Sequence, residues 1–538
     1  MRSLLIASII FFASIASKAQ AITNDGTQTI FLKQGEAWFG AAVNEGDKMP
    51  FTEGYTLNLY ADNRGNQSAP FLLSSKGRFI WSEDPFEFIF RSNQLIISKT
   101  YGKIIIDSSS RTLREAFQKA SKQFFPASGK LPDSLLFLRL QYNTWIELTY
   151  NQNQVDILKY AHSIIDNGFP AGVLMIDDNW MPYYGNFSFR KDKFPDAEAM
   201  MEELHALGFK VMVWVCPFIS PDTEVFRELT GKKILLLDNE NNPGATWQQA
   251  QKPVIINWWN GYSAELDFTN PGAVTWYRSQ LDSMQSKYKV DGFKFDAGDM
   301  EYYPLNAVSF RKATPNEQCK LWGTFGNYFS LNEYWAMWKR GGEPLAERLR
   351  DKEHNWRDVQ KLIPDIITSG LLGYQFTCPD MIGGGEYGSF IGRDKLDQDI
   401  VVRSAQTSAL MPMMQFSVAP WRVLDSVHLD AVKKAVNTRM QFTAYIYKLI
   451  RESAISGEPV VRSLEYVFPN QGFEKIKDQF MLGDKLMITP MVDKGYSRKV
   501  VFPRGIWKGD DGKIVHGPAS AEIKVPVERL PVFEFIQK

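Results

Sequence analysis

The chain has 538 residues, more than one ordinary core accommodates, so two or three domains are expected. Hydrophobic residues make up 44% and charged residues 23%, the balance of a folded soluble protein. Lys plus Arg (61) equals Asp plus Glu (61), which leaves no basic surplus and disfavours a nucleic-acid or anionic-membrane partner. Aromatic residues are 14% and include 15 Trp. That content fits a large aromatic core, and it also fits sugar binding, because aromatic faces stack on sugar rings.

In chain order, the first segment reads MRSLLIASIIFFASIASKAQA. Arg2, an apolar run from Leu4 to Ile15 and small residues at Ser17, Ala19 and Ala21 have the layout of a signal peptide over residues 1–21. The apolar run is shorter than the about 20 residues a membrane span needs. The expectation is an exported protein, periplasmic or secreted, without stable membrane insertion.

Residues 22–128 contain alternating runs such as YTLNLYAD, FEFIFRS and QLIISKT, separated by turn residues, the pattern of an N-terminal β-sandwich. A helix-like segment, LREAFQKASKQF, leads onward. Over residues 129–456 apolar strand candidates alternate with amphipathic helices. LFLRLQYNTW precedes NQVDILKYAHSIIDNG, GVLMIDD precedes DAEAMMEELHALG, and FKVMVWVCPF and the helix-like PGAVTWYRSQLDSMQSKY precede VDGFKFDAG. Later come DVQKLIPDIITSG, LGYQFTCPD and a long helical stretch beginning at DAVKKAVNT. This alternation indicates a parallel sheet with helical crossovers. Its length and number of units favour a (β/α)₈ TIM barrel, an α/β fold. No GxGxxG opens a helix after the first strand, which weakens a dinucleotide-binding reading. Residues 457–538 return to strands, PVVRSLEYVF, DKLMITPMV and RKVVFP among them, and are expected to form a C-terminal β-sandwich domain.

Three cysteines are too few and too odd in number for a disulfide framework. The five histidines, His162, His205, His354, His428 and His516, show no metal-ligand spacing. No metal and no cofactor is expected.

Barrel enzymes place catalytic side chains at the C-terminal ends of their strands. GVLMIDDNW ends in Asp177, Asp178 and Trp180; VMVWVCPF carries Trp214; DGFKFDAGD ends in Asp296 and Asp299; YQFTCPDMIGGG ends in Asp380 before a glycine run. A single Asp at such a place is most often a helix N-cap. Acids at several independent strand ends are harder to explain that way. Paired carboxylates suit glycoside hydrolysis, in which one attacks the anomeric carbon and the other protonates the leaving oxygen. In DGFKFDAGD, Lys294 stands two residues before Asp296 and projects to the same face of the strand. Its charge stabilises a neighbouring carboxylate anion. Asp291 starts that strand, at the opposite end of the barrel, and reads as structural.

With these motifs the chain resembles glycoside hydrolase family 31. DGFKFDAGD resembles the family's nucleophile strand, which implies Asp296 as nucleophile and Lys294 as a sugar-hydroxyl and charge partner. The segment from MIDDNW to WVCPFISP resembles the part of the family that carries a substrate-binding Asp and Trp. It implies that Asp177, with Asp178 beside it, binds hydroxyls and that Trp214 lines the subsite of the cleaved sugar. NWWNGYSAELDFTNP, PDMIGGG and the stretch from DQFMLGDK onward are also similar to the family, and the PDMIGGG match implies that Asp380 contacts the substrate. The family's Trp-Gly-Asp-like acid/base segment is absent. Counting back from Asp380 by the family's spacing lands on Asp351, with Glu353 and Asp358 as nearby rivals; the flanking Arg348, Arg350, Lys352 and Arg357 also fit an ion-paired surface segment. Arg340 and Arg350 are both candidates for the family's sugar-binding Arg. A His that the family often carries on a later strand is missing from LMPMMQFSVAPWR. With FKFDAG, that resembles the branch containing the myogenesis-regulating glycosidase, linked to α-galactosides rather than the commoner α-glucosides. Trp145, in QYNTWIEL, is placed either to cover the sugar's face or to cap the core. The resemblance implies a retaining, exo-acting α-glycosidase acting on an oligosaccharide or glycoside, with its two carboxyl groups about 5–5.5 Å apart. The alternatives are a transglycosylase using the same residues and a non-catalytic carbohydrate-binding barrel.

Overall fold

The computed structural model describes residues 26–239, 244–392 and 395–537. The expected signal peptide lies outside the described residues.

Eight parallel strands form the central sheet: β1 (Gln141–Asn143), β2 (Val173–Ile176), β3 (Lys210–Val215), β4 (Gly292–Phe295), β5 (Asn332–Tyr334), β6 (Glu347–Arg348), β7 (Thr377–Cys378) and β8 (Gln415–Phe416). β2 to β7 each pair with their predecessor, and β8 pairs with β1. A parallel bridge between Met381, just past β7, and Gln415 closes the ring. The fold is therefore the expected TIM barrel. Its helices are α1 (Gln154–Asp166), α2 (Ala197–Ala206), α3 (Pro271–Tyr288), α4 (Pro315–Phe325), α5 (Leu362–Leu371), α6 (Gln398–Ala409) and α7 (Ser426–Ser456).

Several strands are shorter or elsewhere than the periodicity predicts. Of LFLRLQYNTW, only Gln141–Asn143 is strand; Leu135–Leu138 is a helical turn. β5 and β6 carry the buried polar residues Asn332, Glu333, Glu347 and Arg348 and give no hydrophobic signal. They are strands because the ring demands them. Glu333 is held there by Gln415, whose amide donates to Glu333 Oε2 at 2.7 Å and to Gln141 Oε1 at 2.9 Å across the barrel interior.

Two departures from a plain barrel shape the mouth. Between β3 and α3 the chain inserts a small antiparallel sheet, Phe218–Ile219, Gly261–Glu265 and Ile255–Trp258. Between β5 and β6 it runs outward as Met337–Trp338 and adds in parallel to Gln67–Ser68 of the N-terminal part.

The N-terminal part contains two sheets. One orders Gln28–Phe31, Gln94–Ser98, Glu87–Arg91 and Thr56–Asn58; the other contains Gln67–Ser74, Phe79–Ser82 and Ile104–Asp107, with Trp38–Ala42 also on Gln67–Ser74. Trp38–Ala42 and Gln67–Ser74 are buried at every residue. They show no alternation and so escape a period-of-two reading. The C-terminal strands are hydrogen-bonded into one continuous six-stranded antiparallel sheet rather than the two sheets expected of a sandwich. Among the described residues no helix is long and apolar enough to cross a membrane.

Candidate active site

The acids at the strand ends cap none of the barrel helices, and Asp299, at the N-cap position of the 3-10 turn Met300–Tyr302, makes no side-chain cap bond. Asn153 caps α1, Asp196 α2, Asn270 α3, Thr314 α4, Asp397 α6 and Asp425 α7. Asp177, Asp178, Asp296 and Asp351 instead share a cavity of about 1320 Å³ at the C-terminal mouth of the barrel.

Register places the first group. In the parallel pairing of β3 with β4, Trp214 stands opposite Lys294. Asp296 follows two residues later on the same face. Trp214 Nε1 donates to Asp296 Oδ2 at 2.7 Å, and the backbone N–H of Ala297 donates to Oδ1 at 3.0 Å. Lys294 Nζ lies 2.6 Å from Asp177 Oδ2 and 3.8 Å from Asp296 Oδ2. Burial alone would raise the Asp177 carboxyl above the usual range, but Lys294 outweighs it and holds it below. Ala297 has φ 56°, in the left-handed region that a non-glycine residue seldom occupies.

Asp178 is also buried and has different partners. Tyr184 donates to its Oδ2 at 3.0 Å, and Asn260, in the turn of the inserted hairpin, donates to the same oxygen at 2.6 Å. Tyr150 completes the link by donating to Asn260 Oδ1 at 2.8 Å. Burial, and then the charge of Asp177, push the Asp178 carboxyl up to about 7.

The second group centres on Arg348 of β6, which is 2% exposed. Its guanidinium pairs with Asp351, lies 3.5 Å from Asp380 and from Glu333, and stacks 5.1 Å from the ring centroid of Trp335. The glycine run after β7 makes this approach possible. At Gly384 an added Cβ would collide with the carbonyl of Lys352, and at Gly385 with the carboxyl of Asp351. Trp335 Nε1 in turn donates to Asp299 Oδ2 at 3.1 Å, and Asn63 of the N-terminal part donates to Asp299 Oδ1 at 3.0 Å. Burial, and then Glu301, raise Asp299 to about 7. Asn66, also N-terminal, donates to the carbonyls of Trp335 and Arg348 and accepts from the N–H of Arg350.

Trp145, Asp177, Asp178, Trp214, Lys294, Asp296, Arg350 and Asp351 all line the cavity. Two residues expected at the sugar lie elsewhere. Asp380 is 1% exposed and sits one layer down, its carboxyl accepting the backbone N–H groups of Met381 (2.6 Å), Lys352 (2.7 Å) and Gly385 (3.1 Å). Burial and the nearby Asp351 push it up to about 7. Arg340 is not among the lining residues, and its guanidinium pairs with Glu343 at 2.9 Å. Arg348, which the sequence presents only as one cation in a charged run, is the arginine at the centre. The rivals of Asp351 are partly committed: Asp358 accepts from the N–H of Glu353 and pairs with Lys361 at 2.7 Å. Asp291 is at the barrel's other end, bonded to His205 and Lys210. Among the described residues no His, Cys, Asp or Glu side chains converge into a metal-holding group.

A TIM barrel that opens on two carboxyl groups, one bonded to an indole beside a lysine and the other on an arginine, has the parts that hydrolysis by a carboxylate pair uses. Comparison with known proteins agrees. The sequence matches the glycosyl hydrolases family 31 TIM-barrel domain over residues 138–352 and 349–449 and that family's C-terminal domain over 457–534. The chain belongs to glycoside hydrolase family 31. It is 30% identical over 404 residues to the myogenesis-regulating glycosidase of Mus musculus, covering 73% of this chain and 55% of that protein. It is 24% identical over 502 residues to α-xylosidase XylQ of Lactiplantibacillus pentosus, covering 85% of this chain and 60% of that one. The chain thus spans between half and two thirds of these relatives. Among solved structures, a family 31 dextranase of Flavobacterium johnsoniae complexed with glucose superposes with a TM-score of 0.82 at 18% identity, over 97% of this chain and 68% of that one.

Proposed function

We propose that the protein is a retaining, exo-acting α-glycosidase that hydrolyses a terminal α-linked galactose or glucose. The observation that carries the reading is the placement of Asp296 and Asp351 in one cavity with opposite partners. Asp296, fixed by Trp214 and the Ala297 N–H, attacks the anomeric carbon as the glycosidic C–O bond breaks. Asp351 gives its proton to the departing oxygen. Arg348 then pairs with the resulting carboxylate, the form that takes a proton from water in the second step. Water attacks the glycosyl-enzyme, and Asp296 is released. Asp177, Trp214, Lys294 and Trp145 surround the site of the cleaved sugar and are the proposed substrate contacts. Arg348 replaces Arg340 as the proposed arginine contact, with Arg350 further out. The galactoside option rests on the resemblance of residues 410–422 to the branch of the myogenesis-regulating glycosidase, and the glucoside option on similarity to relatives named α-glucosidase. Export is proposed from the leader-like residues 1–21, and sequencing the N-terminus of the mature protein tests it.

The test of activity is hydrolysis of matched aryl α-galactoside, α-glucoside, α-xyloside and α-N-acetylgalactosaminide, with proton NMR of the first anomer released. Turnover of the galactoside or the glucoside with release of the α anomer is expected. Release of the β anomer overturns retention, and failure to turn over any of the four overturns the hydrolase reading.

A further inference from the structure

Asp351 is carried by a stretch without strand or helix, from Leu349 to Asn355. Such a segment holds its geometry only through specific bonds. Four of its backbone N–H groups have side-chain acceptors outside it: Arg350 bonds to Asn66 at 3.1 Å, Lys352 to Asp380 at 2.7 Å, Glu353 to Asp358 at 2.7 Å and His354 to Ser389 at 3.1 Å. A further bond is made by the side chain of Lys352. The residue is 4% exposed, and its Nζ donates to the carbonyl of Arg350 at 3.0 Å. The same Nζ lies 3.0 Å from Asp365 Oδ2 on α5.

Asp365 is 1% exposed, and neither of its carboxyl oxygens makes a hydrogen bond of good geometry with any described residue. Lys352 is the one ion-pair partner it has among them. A buried ion pair is a poor source of stability, because desolvating both charges offsets their attraction. It is a good means of fixing one place in a loop to another in a rigid element. α5 supplies the rigidity: all ten of its residues are buried, and the backbone of Pro364 packs against Gly46 of the N-terminal part so closely that an added Cβ at Gly46 would stand 2.5 Å from the Pro364 carbonyl. Lys352 immediately follows Asp351, so a fixed Lys352 fixes the direction in which the Asp351 carboxyl leaves the chain.

We infer that Lys352, through its buried pair with Asp365, is a positioning residue that aims Asp351 at the leaving oxygen. The inference rests on the glycosidase reading above. It predicts a dependence on the leaving group that general destabilisation does not produce, since only departure of a poor leaving group needs the proton.

The experiment compares wild type with Lys352→Met, Asp365→Asn and Lys352→Arg on two substrates of the preferred sugar, a disaccharide and the α-glycosyl fluoride. For Lys352→Met and Asp365→Asn, kcat/KM on the disaccharide is expected to fall at least about tenfold while that on the fluoride changes less than about threefold. Lys352→Arg is expected to lie nearer wild type on both. Equal losses on the two substrates, or no loss on either, overturn the inference. Amide hydrogen exchange supplies a readout independent of turnover. Residues 350–354 are expected to exchange at least about tenfold faster in both uncharged variants, with β4 unchanged. Unchanged exchange at 350–354 overturns the inference even if wild type cleaves nothing, an outcome that by itself speaks only against the glycosidase reading. Asp365→Asn keeps the size of the side chain and stands in if Lys352→Met does not fold.

Discussion

Trp214 Nε1 donates to Asp296 Oδ2 at 2.7 Å, a bond from β3 to the residue just past the end of β4, two residues beyond Lys294, the ladder partner of Trp214. It fixes the rotation of the carboxyl, because the Ala297 N–H holds the other oxygen. Asp296→Asn is expected to lose nearly all turnover with its melting temperature within a few degrees of wild type. Trp214→Phe keeps the ring face and removes the donor, and kcat should fall by on the order of 100-fold. Steady-state kinetics beside thermal melts check both, and wild-type-like kcat in Asp296→Asn removes it as nucleophile.

Asp351→Ala should cleave substrates with activated leaving groups far better than unactivated ones, because the former need little protonation. Added azide should restore turnover and yield the α-glycosyl azide, since it attacks the face that Asp351 no longer serves. An equal loss on all substrates, with no azide adduct, moves the acid/base role to Glu353.

Lys294 is the buried counter-charge of Asp177, both side chains being 4% exposed. Lys294→Met leaves that carboxylate uncompensated and is expected to destabilise the fold by about 3–5 kcal/mol. Adding Asp177→Asn should return part of the loss. Chemical denaturation of the two variants measures it, and additive losses would deny the coupling.

Asp178, Asp299 and Asp380 are all pushed up to about 7 by burial. Unfolded, each titrates in the ordinary carboxylate range, near 3.8. Between these limits the folded chain binds more protons than the unfolded chain, so stability is full below the lower value and declines as pH rises through the upper one. The melting temperature is expected to fall from pH 5 to pH 8 and to level above that. Asp299→Asn, whose amide oxygen still accepts from Asn63 and Trp335, should flatten the slope. A slope unchanged in that variant removes Asp299 as a contributor.

Asp291 offers the control. It accepts from the N–H of Val211 at 2.8 Å and pairs with His205 at 2.7 Å and Lys210 at 2.8 Å, at the end of the barrel away from the cavity. Asp291→Asn should cost about 1–3 kcal/mol of stability and leave kcat unchanged. Denaturation and kinetics on one preparation separate the two effects.

Much of the barrel was legible in the sequence because long apolar strands alternate with amphipathic helices, as in GVLMIDD before the segment that becomes α2. β5 and β6 were not legible. Their Glu333, Glu347 and Arg348 look like surface residues until the ring closes around them. The double burial of Trp38–Ala42 and Gln67–Ser74 hid those strands for the opposite reason, since both faces are covered and nothing alternates.

The sequence by itself determined that Lys294 and Asp296 share a face, because residues two apart in any strand do so; that Lys294 bonds more closely to Asp177 came from the packing of the strands. It also determined that acids gather at strand ends and that a glycine run follows Asp380. Only the tertiary structure decided that Arg348 is the arginine paired with Asp351, that Asp380 lies beneath the cavity, and that Asn63 and Asn66, in the loop before Gln67–Ser74, hold its wall. Those contacts join residues far apart in the chain. They depend on ring closure and on how Met337–Trp338 docks to the N-terminal sheet, neither of which leaves a local period to read.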